Sequence, residues 1–333
     1  MPSALHARIA LITALLVCRA PAALEGPPSR PYVLVLGTAQ DGGIPHLGCR
    51  GDICRDARLD PRRKRLVTSL LLCDPRTGRR WLFDCSPDVE EQLARAQGHP
   101  ATRIESGPRP PLFEGLFLTH AHMGHYGGLL ELGREAYAAS AVPTWVTPRF
   151  RHFLGENGPW RLLVEEQRLL LQELELDDSG AGLPIVLAPD FSVVPFRVPH
   201  RDEYSDTVGF EIRGPRRTLV YLPDIDKWEA WDAQAPVRTG KIEGVLSRCD
   251  VALLDGTFFA DGEIPGRSMR DIPHPFIAES LARFAPLPGS ERAKIYFTHL
   301  NHTNPAAQDE SAAQRVIRTA GMHVLEDGQV IEL

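Results

Sequence analysis

The sequence has no surplus of positive charge, no apolar run long enough to cross a bilayer and no internal repeat. Its formal net charge is −6 over 333 residues, which argues against nucleic-acid binding because that function requires a basic surface. The N-terminal apolar run, residues 9–17, is too short for a transmembrane helix. What remains is a globular chain with enough residues for one large domain or two small ones.

The first 24 residues are typical of a secretory signal peptide. A weak positive charge at Arg8 precedes the apolar run, and small residues at positions 20–23 offer a cleavage site. The mature protein is therefore predicted to be periplasmic or secreted, and an N-terminal anchor is the alternative. A lipid anchor at Cys18 is disfavoured by the bulky Val17 before it. Residues 25–30 form a predicted linker, and residues 31–333 form one domain.

Cysteine is too scarce and too scattered for a disulfide framework. Five cysteines follow the predicted cleavage site, an odd number. Cys73 and Cys85 end apolar runs and are expected to be buried as small hydrophobic residues.

Apolar runs bounded by turn residues predict two β-rich halves with helices outside them. Such an order is typical of a four-layer α/β sandwich with its functional site at the sheet edges. Two details of the pattern are a helix over residues 160–175 and a C-terminal hairpin of residues 322–325 and 330–333 around Asp327 and Gly328.

Three histidines, His120, His122 and His125, lie within six residues of one another. They follow residues 116–119, which are typical of a buried strand end, so the chain is still extended at His120 and His122 and both side chains point to the same side. Two imidazoles placed in this way can bind one metal ion. A histidine-rich surface loop is the alternative.

Further candidate ligands recur at predicted strand ends, where a sheet can aim side chains from loops. Alone each is a weak signal, because a strand-end aspartate is usually a turn or cap residue. The residues are Asp84, His200, Asp224 and His299.

The order of these residues resembles the metallo-β-lactamase superfamily, and the resemblance covers essentially the whole mature chain. The sequence is also similar to the coenzyme PQQ synthesis protein B family in three stretches: residues 36–45 (LGTAQDGGIP), 254–259 (LDGTFF) and 299–305 (HLNHTNP). A related phosphodiesterase of phosphonate utilisation resembles the chain at the metal ligands. The resemblance implies an α/β fold, the four-layer αββα sandwich.

The resemblance also implies roles for the candidate ligands. His120, His122 and His200 would hold a first divalent metal, Asp224 would bridge, and His125 and His299 would reach a second. Asp84 would orient a ligand imidazole through its ring N–H. The metal would lower the pKa of a bound water so that hydroxide exists near neutral pH. Zinc suits these ligands best, and iron or manganese also fits.

One position departs from the superfamily pattern, which has aspartate where this chain has Gly124. The second metal position would thereby lose an anionic ligand, so we expect that metal to be weak, absent, or held by His125, Asp224 and His299 alone. Aspartate restored at position 124 is expected to raise the metal stoichiometry. A degenerate site without chemistry is the alternative.

Two further features follow from the resemblance. His274 stands near the position of a general acid in the phosphodiesterase relative and would protonate a leaving group; a loop histidine at a helix start is the alternative. Cys49, Cys54 and His302 resemble a structural zinc loop in which Gly51 replaces a ligand cysteine, so the set is one ligand short. The candidates for the fourth ligand are His46 and Asp52, and the alternative is two free cysteines under a loop.

Three functions fit these patterns, each with a small-molecule partner. The favoured one is a hydrolase of a small ester, lactone or phosphodiester that uses metal-bound hydroxide with His274 as acid. The second is an iron-dependent oxygenase acting in PQQ biosynthesis, although the predicted signal peptide argues against direct participation in cytosolic assembly. The third is a non-catalytic periplasmic carrier of PQQ or its precursor.

Overall fold

The computed structural model of the protein describes residues 28–99, 111–234, 241–264, 266, 268–269 and 271–333. The predicted signal peptide lies outside these residues, as do positions 25–27 of the predicted linker. Within the described ranges, no helix has both the length and the apolar character needed to cross a membrane.

Fourteen strands form in the described part of the chain. In chain order they are β1 Tyr32–Gly37, β2 Ser69–Asp74, β3 Arg79–Phe83, β4 Gly115–Phe117, β5 Val142–Val146, β6 Leu169–Glu173, β7 Ile185–Ala188, β8 Phe191–Val198, β9 Thr207–Arg213, β10 Thr218–Leu222, β11 Val251–Asp255, β12 Ile295–Thr298, β13 His323–Val324 and β14 Val330–Glu332.

The described residues also form ten α-helices and three 3₁₀-helices. The α-helices are α1 Asp52–Leu59, α2 Val89–Gly98, α3 Met123–Tyr126, α4 Pro148–Glu156, α5 Trp160–Glu165, α6 Trp228–Gln234, α7 Ile242–Leu246, α8 Ile277–Phe284, α9 Gly289–Arg292 and α10 Ala312–Thr319. The 3₁₀-helices are Pro61–Arg63, Gly127–Leu132 and Pro305–Ala307.

The strands divide equally between two mixed sheets of seven. The first has the order β14-β1-β2-β3-β4-β5-β6, and the second has the order β13-β12-β11-β10-β9-β8-β7. In the first sheet β3, β4, β5 and β6 are parallel neighbours. In the second, β10, β11, β12 and β13 are parallel neighbours.

Three apolar layers hold the sheets and helices together, which confirms the predicted four-layer αββα sandwich. One core lies between the sheets, and one lies on the outer face of each sheet against the helices. Strand β1 shows how the sequence produces this arrangement. Val33 and Val35 pack between the sheets, whereas Leu34 and Leu36 pack against the helical side. Because both faces are buried, the strand is a continuous apolar run.

Two sequence-based expectations about secondary structure are wrong. The predicted helix over residues 160–175 ends at Glu165, and Leu169–Glu173 is instead a strand paired in parallel with β5. The predicted C-terminal hairpin does not form, because β13 pairs with β12 in the second sheet and β14 pairs with β1 in the first. The turn at Gly328, with φ of 82°, thus connects the two sheets.

Candidate metal centre

The candidate ligands lie at one edge of the sandwich. In the first sheet β1, β3 and β4 run in the same direction, and in the second sheet β8, β10 and β12 do so. Each ligand-bearing loop follows the carboxyl end of one of these strands, so loops that are distant in sequence meet at this edge. A hydrogen bond from Val208 N to Thr119 O, 3.1 Å long, ties the sheets together there.

Four predicted ligands converge on one point. Asp224 Oδ2 lies 3.2 Å from His120 Nε2 and 3.1 Å from His200 Nε2. His122 Nδ1 lies 2.9 Å from His120 Nε2 and 3.2 Å from His200 Nε2. Two atoms that are each about 2.1 Å from one ion lie roughly 3 to 4 Å apart. These residues, which we call the first cluster, therefore have the spacing of a single metal site.

The outward nitrogens of these imidazoles have polar partners. His122 Nε2 lies 3.0 Å from Glu203 Oε2, and His200 Nδ1 lies 3.1 Å from Asp226 Oδ1. His120 Nδ1 lies 3.0 Å from the hydroxyl of Thr119. Such partners fix the ring orientation and the tautomer that presents its free nitrogen to a metal.

The protonation states of His120 and Asp224 suit a metal, whereas neighbouring carboxylates outweigh burial and raise the pKa of His200 to about 9. Burial lowers the pKa of His120 well below its ordinary value, so its ring is neutral. Burial alone would raise the pKa of Asp224, but His200, His274 and His299 outweigh it and hold that pKa well below its ordinary value. Neutral imidazole and ionised carboxylate are the forms that ligate metals.

A second cluster, defined as Asp41, His125 and His299, lies beside the first. Ligand atoms of these residues lie within 4.8 Å of one another. Asp224 Oδ2 lies 3.9 Å from His125 Nε2 and 4.0 Å from His299 Nε2. The shared carboxylate of Asp224 thus stands between the two clusters, as the bridging role requires.

Asp84 anchors the second cluster from behind. Its Oδ2 accepts a hydrogen bond of 2.8 Å from His125 Nδ1 and one of 3.0 Å from the hydroxyl of Tyr221. The other oxygen accepts from Thr119 N at 2.9 Å. Asp84 is fully buried. This is the orienting contact expected of Asp84, made to His125.

The expectation of a weak or absent second metal rested on the loss of a carboxylate at Gly124 and took no account of Asp41. Gly124 indeed supplies no side chain, but the Asp41 carboxylate, from the loop after β1, stands beside His125 and His299. The second cluster therefore contains an anionic oxygen of its own. The sequence offers one signal, an aspartate before two glycines in the loop after a buried strand, and this pattern alone does not identify a metal ligand.

His274 lies against Asp224 but outside both clusters. Its Nδ1 is 2.9 Å from Asp255 Oδ2 and 3.1 Å from Asp224 Oδ1. Burial favours the neutral ring, but Asp255 and Asp224 outweigh it and raise the pKa of His274 well above its ordinary value. Asp255, which lies in the stretch 254–259 that carries the family resemblance but had no predicted role, also accepts hydrogen bonds from Thr257.

Two residues of the centre have left-handed backbone conformations. Asp84 has φ of 59° and His299 has φ of 60°. Such a conformation costs about 1–3 kcal/mol in a residue other than glycine. Glycine would avoid that cost at either position. The strain is therefore retained where the centre needs the side chain of Asp84 or His299.

The cysteine loop brings its three predicted ligands together. Cys49, Cys54 and His302 have ligand atoms within 4.8 Å of one another, and all five cysteines in the described ranges are free. Neither candidate fourth ligand joins them. The ring of His46 stacks on that of His302 at 4.3 Å, and Asp52 forms an exposed ion pair with Arg55. Of the described residues, three contribute to this candidate zinc site.

Comparisons with known proteins identify the family of the chain. A family model described as the beta-lactamase superfamily domain matches residues 79–313. The coenzyme PQQ synthesis protein B of Methylobacterium sp. (strain 4-46) is 29% identical over 324 residues, covering 90% of this chain and 99% of the relative.

Solved structures show the same fold. Zn²⁺-bound PqqB from Methylobacterium extorquens has a TM-score of 0.72 at 23% identity, covering 91% of this chain and 100% of its own. A diphosphatase from the PhnP family has a TM-score of 0.62 at 20% identity, covering 91% and 97%. The ligand groupings of this chain support divalent metal binding.

Proposed function

The chain belongs to the beta-lactamase superfamily, and from that premise we propose that it is a metal-dependent hydrolase of a small ester, lactone or phosphodiester. The observation that carries the proposal is the convergence of His120, His122 and His200 on the Asp224 carboxylate, at 3.1–3.8 Å. A divalent ion bound there supplies Lewis acidity and lowers the pKa of a bound water. The predicted export would place the reaction in the periplasm or outside the cell.

The protein's own residues divide the remaining tasks. Asp224 aims one oxygen at the imidazoles of the first cluster and the other at His274. Since carboxylates surround Nδ1 of His274, its Nε2 is the nitrogen available to a substrate. We propose that this nitrogen donates a proton to the leaving group.

The metal preferred by these ligands is zinc, with manganese or iron as the alternatives. Imidazole and carboxylate ligands accept all three metals, so the identity of the ion depends on availability as well as on the site. A further structural zinc at Cys49, Cys54 and His302 belongs to the same proposal.

The similarity to coenzyme PQQ synthesis protein B favours a second candidate function. An iron-dependent oxygenase would use the same histidines and carboxylate, because non-haem iron also binds these ligand types. A periplasmic carrier of PQQ or its precursor would need the fold but not the metal.

Metal removal and reconstitution test the three functions together. We expect chelation to abolish hydrolysis of a panel containing p-nitrophenyl acetate, bis(p-nitrophenyl) phosphate and a γ-lactone, and Zn²⁺ or Mn²⁺ to restore it. An oxygen electrode and a PQQ-binding titration run in parallel. Oxygen uptake with Fe²⁺ and no hydrolysis would overturn the proposal in favour of the oxygenase. Chelator-resistant PQQ binding without turnover would overturn it in favour of the carrier.

A His274→Asn variant tests the proton donor. The asparagine amide can still contact Asp255, but it has no proton to transfer at neutral pH. For a substrate with an alkoxide leaving group we expect kcat to fall by about 10²–10⁴-fold. For a p-nitrophenyl substrate, whose leaving group needs no protonation, we expect a much smaller loss. Equal losses for both substrates at unchanged metal content would remove His274 from this role.

A further inference from the structure

We infer that Asp41 is a ligand of a second metal ion and that Gly124 is required because it makes room for Asp41. This inference deepens the proposed function. Binding of the second ion is independent of that function, and only the use of two ions in hydrolysis rests on it. The carboxylate would thus come from the loop after β1 instead of from the histidine motif.

The backbone around Asp41 is held firmly beside His299. Ala39 forms bridges with both Val67 and Leu300. Gln40 N donates to Leu300 O at 2.9 Å, directly after His299 in the chain, and Gly43 N closes a turn onto Gln40 O at 2.8 Å. Asp41 is therefore aimed by the same pairing that places His299, and it is not a residue of a free surface loop.

Three atoms of the second cluster face one another without a hydrogen bond. Asp41 Oδ1, His125 Nε2 and His299 Nε2 are buried and have no hydrogen-bond partner among the described residues. The separation of Asp41 Oδ1 from His125 Nε2, 3.9 Å, is too long for a hydrogen bond and suits two ligands of one ion. Unpaired buried polar atoms are costly, and a shared cation would satisfy all three together.

The outward nitrogens of both histidines are occupied. His125 Nδ1 donates to Asp84 at 2.8 Å, and His299 Nδ1 lies 2.9 Å from the hydroxyl of Thr257. Since both rings are locked from behind, their Nε2 atoms are fixed toward the inside of the cluster. Asp224 Oδ2, at 3.9 and 4.0 Å from these atoms, completes a set of two imidazoles and two carboxylates. That composition suits Zn²⁺ or Mn²⁺.

Gly124 and Asp41 occupy adjoining space. A Cβ atom at position 124 would lie 2.7 Å from Asp41 Cα and closer still to Asp41 Oδ1. Rotation of the Asp41 side chain can relieve the contact with Oδ1 but not the one with Cα, so a residue larger than glycine at position 124 fits only if the backbone at position 41 moves. The carboxylate of Asp41 can therefore occupy its position only because residue 124 is glycine.

The test moves the carboxylate from position 41 to position 124. Five variants are compared with the wild type: Asp41→Asn, Asp41→Gly, Gly124→Asp, the double variant Asp41→Gly/Gly124→Asp, and its matched control Asp41→Gly/Gly124→Ala. Zn²⁺ and Mn²⁺ affinities are measured by calorimetry. The Mn²⁺-loaded proteins are examined by electron paramagnetic resonance, which distinguishes a coupled pair from a single ion. Neither readout depends on catalysis, so a failed hydrolase assay leaves this test intact.

We expect two ions at the centre of the wild type and a coupled Mn²⁺ pair. Asp41→Asn should weaken one of the two by at least roughly tenfold, the lower end of the loss seen when a partner outside the ligands is removed. Gly124→Asp alone should also lose the pair, because it displaces Asp41. This expectation reverses the sequence-based one, in which aspartate at position 124 raises the metal stoichiometry. In the double variants, glycine at position 41 removes the contact with Oδ1 and gives the backbone freedom to absorb the one with Cα. Aspartate at position 124 should then recover the pair, and its alanine control should not.

Two results would overturn the inference. One is an Asp41→Asn protein that binds both ions as tightly as the wild type. The other is equal metal binding by the two double variants. Because asparagine has the size of aspartate and Asp41 is part-exposed, the first result remains informative even if a double variant fails to fold.

Discussion

Asp224→Asn is expected to weaken both metal positions together, by roughly 100-fold or more, because loss of a partner outside the ligands already costs 10–100-fold. The Asp224 carboxylate is the group common to both clusters, at 3.1 Å from His200 Nε2 and 3.9 Å from His125 Nε2. Asparagine keeps the shape of the side chain but removes the charge that balances the cations. Calorimetry and metal analysis of the purified protein measure the effect, and hydrolysis should fall with it.

Asp226→Asn is the matched control for this prediction. Asp226 stands two residues away and contacts the outward Nδ1 of His200 at 3.1 Å, so it touches the first cluster only from behind. We expect it to weaken one position and to leave the other near its wild-type affinity. If Asp224→Asn retained both ions, or if the two variants behaved alike, Asp224 would not be the shared ligand.

Phe117→Ala is expected to destabilise the protein by about 3–5 kcal/mol, the usual loss for a fully buried phenylalanine. The Phe117 ring stacks on Phe83 at 4.8 Å and on Trp145 at 4.5 Å, and it meets Phe210 of the other sheet edge-on at 5.7 Å. Its removal opens a cavity where the two sheets meet. Chemical and thermal unfolding of the metal-free protein measure the loss.

Val316→Ala serves as the control for stability. This side chain on α10 is 50% exposed, so its truncation should change the free energy of unfolding by no more than about 0.5 kcal/mol. A Phe117→Ala protein that unfolds at the wild-type denaturant concentration would contradict the importance given to the core between the sheets.

The sandwich was predictable from the sequence because most strands are buried on both faces. Residues 251–255, for example, have no polar residue before Asp255, and the whole of β11 is buried. Strand β6 was missed for the opposite reason. Leucine, glutamine and glutamate at positions 169–173 have good helix propensities, and pairing with Val142–Val146 overrides them. The residues of β6 alone therefore do not predict its pairing with β5.

The site was predictable where its residues directly follow apolar strands. His120, His200 and Asp224 each follow a recognisable strand, and the structure brings them together. Asp41 was missed because its place beside His125 and His299 depends on pairing of the loop after β1 with segments far away in sequence. Asp255, Glu203 and Asp226 were missed as partners for a similar reason, since only the folded sheet edges place them behind the ligand histidines.

The close approach of Gly124 to Asp41 has a consequence for how such a centre can evolve. In a chain with aspartate at position 124, the loop after β1 must lie elsewhere, because a Cβ atom there would come within 2.7 Å of the Cα atom of residue 41. The order of substitutions is therefore constrained: the carboxylate at position 124 must disappear before the loop can place the one at position 41 in the centre. The two arrangements are separated by an intermediate with neither carboxylate, and strong epistasis between these positions should keep descendants in whichever arrangement they inherit.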